Sequence, residues 1–472
     1  MTGNGYMGYR GTLEEYSKNE LGACIIAGLY NKVGDKWREP VNAPNGFFIK
    51  VYCDGEELSV LVREPEEHSQ RLDIRNGAHS RKTVFNTSSG KKITLSSERF
   101  LSMDEIHLMC MKYEIKCDSD CSLTIESGID GDVWDINGPH LEDFQYIRNG
   151  GCLVIKALTH ELGIPVAVVE LFDGMIGSFD IMDSEKKYIR KINMEAQAGE
   201  TYSFYKYVSV YTGNDPVADV ADAAAKSCST AAFEGYGSLL DKSSAVWDRY
   251  WSNSDIVIEG DDEAQFALRY SIYQLLIISP THSSSLSIPA RGLSGQVYKG
   301  AIFWDTEMFM LPFFIYTNPA FARNLLMYRY HTLDGARRKA KEYGFKGAFY
   351  AWESQETGDD ACTHFNISDV FTGRPMRTYF RDKQIHISAD IAYAIWQYVS
   401  VTGDESLLVD GGAEVILECA RFFYSYAYYK PDKDRFELLD VTGPDEYHER
   451  VNNNAYTNKM VKHTLDIAFK DP

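Results

Sequence analysis

Alternating apolar and polar residues dominate the first part of the chain and predict β-strands. Residues 112–117 alternate from side to side, residues 122–127 repeat the pattern after a short polar turn, and residues 202–211 are rich in aromatic and β-branched side chains, which favour strands. Residues 47–58 form an apolar run broken by Asp54-Gly55, a pair typical of a tight hairpin turn. Strands of this kind bury one face against a second sheet. The pattern predicts an N-terminal β-sandwich over residues 1–215.

Helical patterns replace this alternation after Asp215-Pro216. Residues 218–226 are rich in alanine and lack turn residues, so they predict a helix. Further helical patterns, separated by loops rich in glycine and aromatic residues, lie at 263–278, 319–343, 387–402 and 413–429. We expect a helical linker over residues 216–262 and a helical domain over residues 263–472. The long loops of that domain are where functional residues are expected.

The net charge and the hydropathy of the sequence exclude some classes of binding partner. The 472 residues contain 48 Lys and Arg against 68 Asp and Glu, a net charge of −20, which repels nucleic acid and anionic membrane surfaces. The sequence has no apolar run of about 18 residues that could span a membrane, and its first residues lack the features of a secretory signal. We therefore expect a cytoplasmic protein that binds neither nucleic acid nor membranes.

The cysteines indicate a reduced protein without a metal centre. There are nine, an odd number, and they are scattered along the chain, unlike the dense, paired cysteines of a secreted disulfide scaffold. Cys117 and Cys121 have the spacing of half a metal site, but no second pair stands at a matching distance. No metal is expected.

Two segments combine carboxylates with aromatic residues. In residues 303–312, Asp305 and Glu307 lie two apart beside Trp304; this fits a capped, buried helix start and equally a sugar pocket. Residues 350–360 pack four carboxylates with Tyr350 and Trp352, which fits a solvated acidic loop or a pocket whose aromatic rings stack on a sugar.

A third segment, residues 441–458, carries the strongest signal for catalysis. Gly443-Pro444 fixes a turn, and Asp445, Glu446, His448 and Glu449 follow at once. A carboxyl held beside aromatic rings has its pKa raised and can act as a general acid near neutral pH. Glycoside cleavage needs such an acid, but the residues alone do not identify the reaction.

Taken in order, these motifs resemble glycoside hydrolase family 65, which contains maltose, kojibiose, nigerose and trehalose phosphorylases. The resemblance covers essentially the whole chain. It is carried by the segments Asn4-Gly-Tyr-Met-Gly-Tyr-Arg-Gly, Glu98-Arg-Phe-Leu-Ser-Met, Gly292-Leu-Ser-Gly, Phe303-Trp-Asp-Thr-Glu, Trp352-Glu-Ser and Gly443-Pro-Asp-Glu-Tyr-His. It implies an N-terminal β-sandwich, a helical linker and an (α/α)₆-barrel catalytic domain.

The resemblance also implies an inverting phosphorolysis. Glu446 matches the family's general acid, which protonates the glycosidic oxygen while inorganic phosphate attacks the anomeric carbon from the opposite face. An α-linked glucose disaccharide then gives β-glucose 1-phosphate and a free sugar, with phosphate as co-substrate and no cofactor. The substrate-binding residues implied are Trp304, Asp305, Trp352 and Glu353, and His448 is implied only as a residue that orients Glu446. Family members also imply a homodimer for the full-length protein.

Two rival functions stay open on the sequence. One is a family 65 hydrolase of the trehalase type, which keeps the acid but does not need phosphate. The other is a non-catalytic sugar-binding or assembly module. Gln296, Ala301 and Asn452 differ from residues common in the family and leave the acceptor sugar open.

The length of the helical domain bears on whether the expected barrel is complete. Twelve barrel helices of roughly 12 residues with their loops need on the order of 300 residues, and about 210 follow from Glu263 to the last residue. We therefore expect about the first half of the barrel, in a fragment that lacks the C-terminal part of the protein.

Overall fold

The computed structural model describes residues 1–10, 12–174, 178–184, 186–365 and 367–470. Gly11, which closes the N-terminal motif, lies outside the described residues. Tertiary contacts divide the chain into a first unit, Met1–Ile278 with Leu293–Gln296, and a second unit, Ser279–Gly292 with Val297–Pro472. The finer division into 1–215, 216–262 and 263–472 stays a prediction.

The first unit is rich in β-strands. Its strands are β1 Thr2–Gly3, β2 Met7–Tyr9, β3 Cys24–Asn31, β4 Glu39–Asn42, β5 Asn45–Cys53, β6 Glu56–Glu57, β7 Glu67–Asp73, β8 Ala78–Asn86, β9 Lys92–Leu101, β10 Leu108–Cys117, β11 Cys121–Asp130, β12 Leu141–Asn149, β13 Cys152–Thr159, β14 Pro165–Gly174, β15 Ser178–Ser184, β16 Lys187–Ala196 and β17 Thr201–Thr212.

These strands form three sheets, and all three contribute side chains to the main core. The larger has the order β12-β13-β14-β17-β10-β9-β8-β7, the second β15-β16-β11-β5-β6, and the third β1-β2-β3-β4. Inward-facing apolar residues of the first two sheets, among them Ile115, Ile125 and Val208, belong to one buried cluster. The two sheets therefore pack face to face, and the sheet-rich N-terminal part predicted from the alternation is confirmed.

The predicted hairpin turn is present between β5 and β6. Asp54 and Gly55 have φ angles of 49° and 85°, and Cys53 pairs with Glu56. Left-handed backbone at both central residues matches the right-handed twist of the strands, so the dipeptide determines the turn locally.

A buried ion cluster ties the chain after β2 to the larger sheet. Glu14 accepts from Arg99 at 2.8 Å and from Arg81 at 2.8 Å, and Arg81 also pairs with Glu15. All four side chains are almost inaccessible to solvent. The opposed charges satisfy one another where water does not reach.

Helices follow the strands. Those of the first unit are α1 Val220–Glu234, α2 Tyr236–Ser254 and α3 Asp262–Ile278. Those of the second unit are α4 Leu311–Thr317, α5 Pro319–His331, α6 Leu333–Glu342, α7 Phe380–Lys383, α8 His386–Thr402, α9 Ala413–Tyr426 and α10 Ala455–Ala468, with short strands β18 Ile367–Ser368, β19 Pro375–Met376, β20 Tyr428–Lys430 and β21 Arg435–Glu437.

The single helix predicted over residues 319–343 is wrong in one respect, because two helices, α5 and α6, meet at Thr332. The Thr332 hydroxyl donates to the Tyr328 carbonyl at 2.8 Å, a side-chain bond that competes with helix propagation. One turn on, Gly335 packs so closely on Gly358 that an added Cβ would lie 2.2 Å from its carbonyl carbon. The break lets the chain after α6 pass close to the helix.

Two findings bear on membranes and cysteines. Within the described ranges, no helix is long and apolar enough to cross a bilayer. The nine cysteines are all buried and none of them forms a disulfide.

Candidate active site

The loop that carries Glu446 is closed by backbone pairing. Val441 and Val451 exchange backbone hydrogen bonds of 2.9 and 2.8 Å, and the Thr442 amide donates to the Lys383 carbonyl at 2.9 Å. Gly443 lies against Asn454, whose amide nitrogen would be 2.5 Å from an added Cβ. These contacts hold the loop beside the segment that leads into α8.

The carboxyl of Glu446 has a raised pKa. Desolvation raises it, the nearby amide of Gln384 lowers it, and the negative charges of Asp305 and Glu449 raise it again. The residue as a whole remains exposed to solvent, so a substrate can reach it. A reachable carboxyl that keeps its proton closer to neutral pH can act as a general acid.

Asp305 and Glu307 are placed differently, although they lie two residues apart. Glu307 is buried and accepts two hydrogen bonds from the Arg329 guanidinium at 2.6 and 2.8 Å. Arg329 also donates to the Phe303 carbonyl at 3.1 Å, so this pair fixes the start of the segment. Asp305 stands at the cap position of the helical turn without making a capping hydrogen bond. Burial raises its pKa, and the charge of Glu307 raises it further.

The buried helix start expected for residues 303–312 is present through Glu307, and the sugar pocket stays a prediction for Asp305. Glu307 belongs to the buried helix start, while Asp305 lies close enough to Glu446 for its charge to act there.

The loop at 350–360 is buried and ordered by Asp360. Its carboxylate accepts from the backbone amides of Trp352 at 3.1 Å and Glu353 at 3.2 Å and pairs with the buried Lys339 at 2.7 Å. Ser354 exchanges backbone hydrogen bonds of 2.8 and 3.0 Å with Ile302. The loop is therefore joined to the Trp304–Asp305 segment, and the solvated-loop alternative is wrong.

Glu353 is buried in this loop and pairs with Lys299. Burial raises the pKa of Glu353, Lys299 lowers it, and the charge of Asp360 raises it. Lys299 and the preceding Tyr298 have left-handed φ angles of 59° and 60°, which cost energy in residues with a side chain. Strained backbone thus brings a cation to Glu353.

Aromatic neighbours pack against Trp304 and Trp352, the two tryptophans predicted to bind substrate. Trp352 stacks on Phe380 at 5.5 Å between ring centroids and meets the edge of Phe303 at 5.3 Å. Trp304 meets the ring of His386 at 5.0 Å and that of Tyr456 at 6.3 Å, both edge to face. The structure thus brings Trp304, Asp305 and Glu446 together around the start of α8, and Trp352 and Glu353 join them through Phe303.

His448 lies at the surface of the loop that carries Glu446, residues 441–451, which is called the acid loop below. Its Nδ1 pairs with the Asp445 carboxylate, and 70% of its side chain is exposed. The side chain that acts directly on the Glu446 carboxyl is Gln384.

Sequence reasoning missed a polar group at the start of α8. Gln384, His386 and Asp390 are buried and hydrogen-bonded in series at 3.2 and 2.7 Å. The available signal was His386 and Asp390, which share one helical face in the largely apolar stretch from Ile385 to Ile395, with Gln384 directly before it.

Gln296 and Asn452, which the resemblance marks as departures from the usual pattern, make structural contacts. Gln296 is buried in the first unit, where its amide donates to the Pro40 carbonyl at 2.8 Å and accepts from the Ile136 amide at 2.8 Å. In the second unit, Asn452 accepts from the Asp440 amide at 2.9 Å.

Comparison with known protein families gives two matches. The profile of the glycosyl hydrolase family 65 N-terminal domain matches residues 1–250, and that of the glycosyl hydrolase family 65 central catalytic domain matches residues 269–471.

Curated relatives match along nearly the whole chain. A nigerose phosphorylase of Lachnoclostridium phytofermentans is 48% identical over 99% of this chain and 65% of its own length. A 1,2-alpha-glucosylglycerol phosphorylase of Bacillus selenitireducens is 41% identical over 99% of this chain and 61% of its own length. The chain thus spans less than two thirds of either relative. A match along 99% of the chain does not support the expectation that it is a fragment, which stays a prediction.

One solved structure is similar throughout. A provisionally named kojibiose phosphorylase from the human microbiome is 25% identical, with a TM-score of 0.88 over 100% of this chain and 63% of that protein.

Proposed function

Because the chain belongs to glycosyl hydrolase family 65, we propose that it provides the catalytic acid of an inverting glycoside phosphorylase. The observation that carries this proposal is the placement of Glu446, a solvent-accessible carboxyl whose pKa is raised by desolvation and by the charges of Asp305 and Glu449. The named functions of the curated relatives add support. The substrate proposed is an α-linked glucose disaccharide, with nigerose as the first to test.

In the proposed reaction, Glu446 gives its proton to the glycosidic oxygen as the bond from that oxygen to the anomeric carbon breaks. Inorganic phosphate forms the new bond to the anomeric carbon from the opposite face, so the products are β-glucose 1-phosphate and a free sugar. Phosphate is already a nucleophile, and no second protein carboxyl is required to activate it. A hydrolase would need one to activate water.

We assign substrate contacts to the aromatic and acidic residues around Glu446. Trp304 and Trp352 offer rings that are fixed by their aromatic neighbours, and ring faces suit the apolar faces of sugars. Asp305 and Glu353 offer carboxylates for sugar hydroxyls, and Lys299 orients Glu353. His448, if it orients Glu446, would do so through Asp445.

For the fold we propose that the helices of the second unit belong to an (α/α)₆ barrel. Support comes from helices that pack on one another, α4 with its successor α5, α9 with its successor α10, and α8 with α10. A homodimer of the full-length protein is proposed from the family alone, and light scattering on that protein tests it.

The test of the proposed function is a product assay with and without inorganic phosphate. Nigerose, kojibiose, maltose, trehalose and glucosylglycerol are each incubated with the protein, and β-glucose 1-phosphate and free glucose are measured. Sugar phosphate that appears only with phosphate supports a phosphorylase. Glucose released equally without phosphate would make the protein a hydrolase of the trehalase type, and no turnover of any substrate would favour the non-catalytic module.

A further inference from the structure

Gln384 is a buried amide with an unused donor. Its side chain is 1% exposed, and its Nε2 has no hydrogen-bond partner within 3.5 Å among the described residues. The group it acts on is Glu446, because Gln384, as a donor, lowers the pKa of that carboxyl. A buried amide N–H without a partner costs free energy, and the loop that carries Glu446 lies beside this segment, because Thr442 donates to the carbonyl of the adjacent Lys383.

The opposite end of the same amide is fixed by a chain of hydrogen bonds. The Gln384 Oε1 lies 3.2 Å from the Nε2 of His386, and the His386 Nδ1 lies 2.7 Å from the Asp390 carboxylate. The Tyr456 hydroxyl donates to the other oxygen of Asp390 at 2.8 Å. Because the His386 ring already occupies Oε1, the amide nitrogen is directed to the other side.

The backbone around Gln384 is equally restrained. Lys383, its neighbour, accepts a hydrogen bond from Thr442 of the acid loop, and α8 begins two residues later at His386. The His386 ring also packs against Trp304. Gln384 is therefore supported by a helix start, by the acid loop and by the hydrogen-bonded chain behind it.

We propose that Gln384 is a positioning residue for Glu446, with its amide orientation set by His386, Asp390 and Tyr456. This inference rests on the proposed function, in which Glu446 is the general acid. Glu446 turns from a carboxylic acid into a carboxylate as its proton passes to the glycosidic oxygen. The N–H of Gln384 donates to the carboxylate as it forms, and a donor fixed in advance stabilises developing charge without reorganisation. No proton is transferred through Gln384.

The first test replaces Gln384 by methionine, which keeps the length of the side chain and removes the donor. We expect kcat on the disaccharide to fall on the order of 100-fold with little change in KM. The loss should be much smaller with α-glucosyl fluoride, whose leaving group needs little protonation. The matched control is Gln397→Met on α8, since Gln397 is a half-buried glutamine outside the Glu446 contacts, and this variant should behave like the wild type.

The second readout does not depend on turnover. Carbon-13 NMR of glutamate-labelled protein, with the Glu446 signal assigned by Glu446→Gln, follows the titration of that carboxyl in each variant. Because Gln384 lowers the pKa of Glu446, Gln384→Met should raise it, and Gln397→Met should leave it unchanged.

The kinetic and NMR readouts distinguish a failure of the positioning role of Gln384 from a failure of the proposed reaction. An unchanged Glu446 titration in Gln384→Met, with the protein folded by circular dichroism, overturns the positioning role whatever the activity. If Gln384→Met raises the pKa of Glu446 but the wild-type protein turns over no sugar, the contact between the two side chains is supported and the proposed reaction is overturned. Equal losses of kcat in Gln384→Met and Gln397→Met would show general damage to α8 and overturn the inference.

Discussion

At the scale of single residues, two carboxylates that are close in the chain behave differently because their surroundings differ. Glu307 is buried against Arg329, whereas Asp305, two positions earlier, stays half-buried and acts on Glu446. A buried carboxylate needs a cation and hydrogen bonds to remain charged. A half-buried carboxylate does not, and it can influence a neighbouring acid through its charge.

Glu446→Gln tests the acid directly. Removal of the proton donor should lower kcat on the disaccharide by about 10²- to 10⁴-fold and should affect α-glucosyl fluoride far less. The control is Glu405→Gln, the same change at an exposed residue beyond the far end of α8. Steady-state rates of sugar phosphate formation measure both, and an equal response of the two substrates to Glu446→Gln would contradict the assignment.

Asp305→Asn tests the electrostatic link through pH. Glu446 must be protonated to act, so kcat/KM is retained at low pH and lost as the pH rises through the pKa of Glu446. The charge of Asp305 raises that pKa, so Asp305→Asn should move the alkaline limb of the pH–rate profile to lower pH. Asp432→Asn, the same change at an exposed residue outside the acid loop, serves as the control. A limb that stays in place for Asp305→Asn would show that the two carboxylates do not interact.

At the scale of elements, the acid loop depends on the helices at its two sides. Lys383 and the start of α8 hold one side through Thr442, and Asn454, the N-cap of α10, packs against Gly443 on the other. The sequence predicted a loop and a Gly-Pro turn here, and it did not predict which helices would enclose them. The contact between Lys383 and Thr442 joins residues 59 positions apart (442 − 383), and local pattern carries no information about such a pair.

Gly443→Ala tests this packing. The new Cβ would lie 2.5 Å from the Asn454 amide nitrogen, so Asn454 must shift, and its hydrogen bond with the Thr457 amide, 3.0 Å long, weakens. We expect a loss of about 1 kcal/mol, the usual value of a helix N-cap, measured by urea unfolding. Gly237→Ala in α2, where nothing lies within 4 Å, should be neutral or stabilising. Equal effects of the two substitutions would argue against the contact.

At the scale of the whole molecule, the charged groups buried in the first unit serve stability and are distinct from those proposed for catalysis. The first unit buries Glu14 with Arg81 and Arg99. Burial alone would raise the pKa of Glu14, but the two guanidinium groups outweigh it and lower the pKa to about 2. A carboxylate with a lowered pKa stabilises the folded state at neutral pH and loses that contribution as the pH falls below its unfolded value toward 2.

Glu14→Gln should therefore destabilise the protein at pH 7 by about 3 kcal/mol or more, because two buried arginines lose their shared partner. The difference from the wild type should shrink as the pH falls from about 4.5 toward 2. Chemical denaturation at a series of pH values measures this. Glu67→Gln removes an exposed partner of Lys82 and should cost less than about 1 kcal/mol at any pH; a comparable loss at pH 7 for both variants would refute the role of the buried cluster.

The sequence by itself determined the features that short-range physics controls. Side-chain alternation specified the strands of the first unit, Asp54-Gly55 specified a hairpin turn, and helical spacing placed α3, α8 and α9 to within a few residues. Residue types in three segments also predicted a site of carboxylates and aromatic rings, and the resemblance named the family.

Only the tertiary structure decided how those segments work together. Thr332 ends a helix that the spacing alone would continue, Asp360 turns an acidic stretch into a buried loop, and Gln384 lowers the pKa of Glu446 from a segment with no catalytic motif. Each of these outcomes depends on burial and on partners distant in the chain. Hydrogen bonds and charges gain their strength from the loss of water around them, and which groups lose that water is determined by how the whole chain packs.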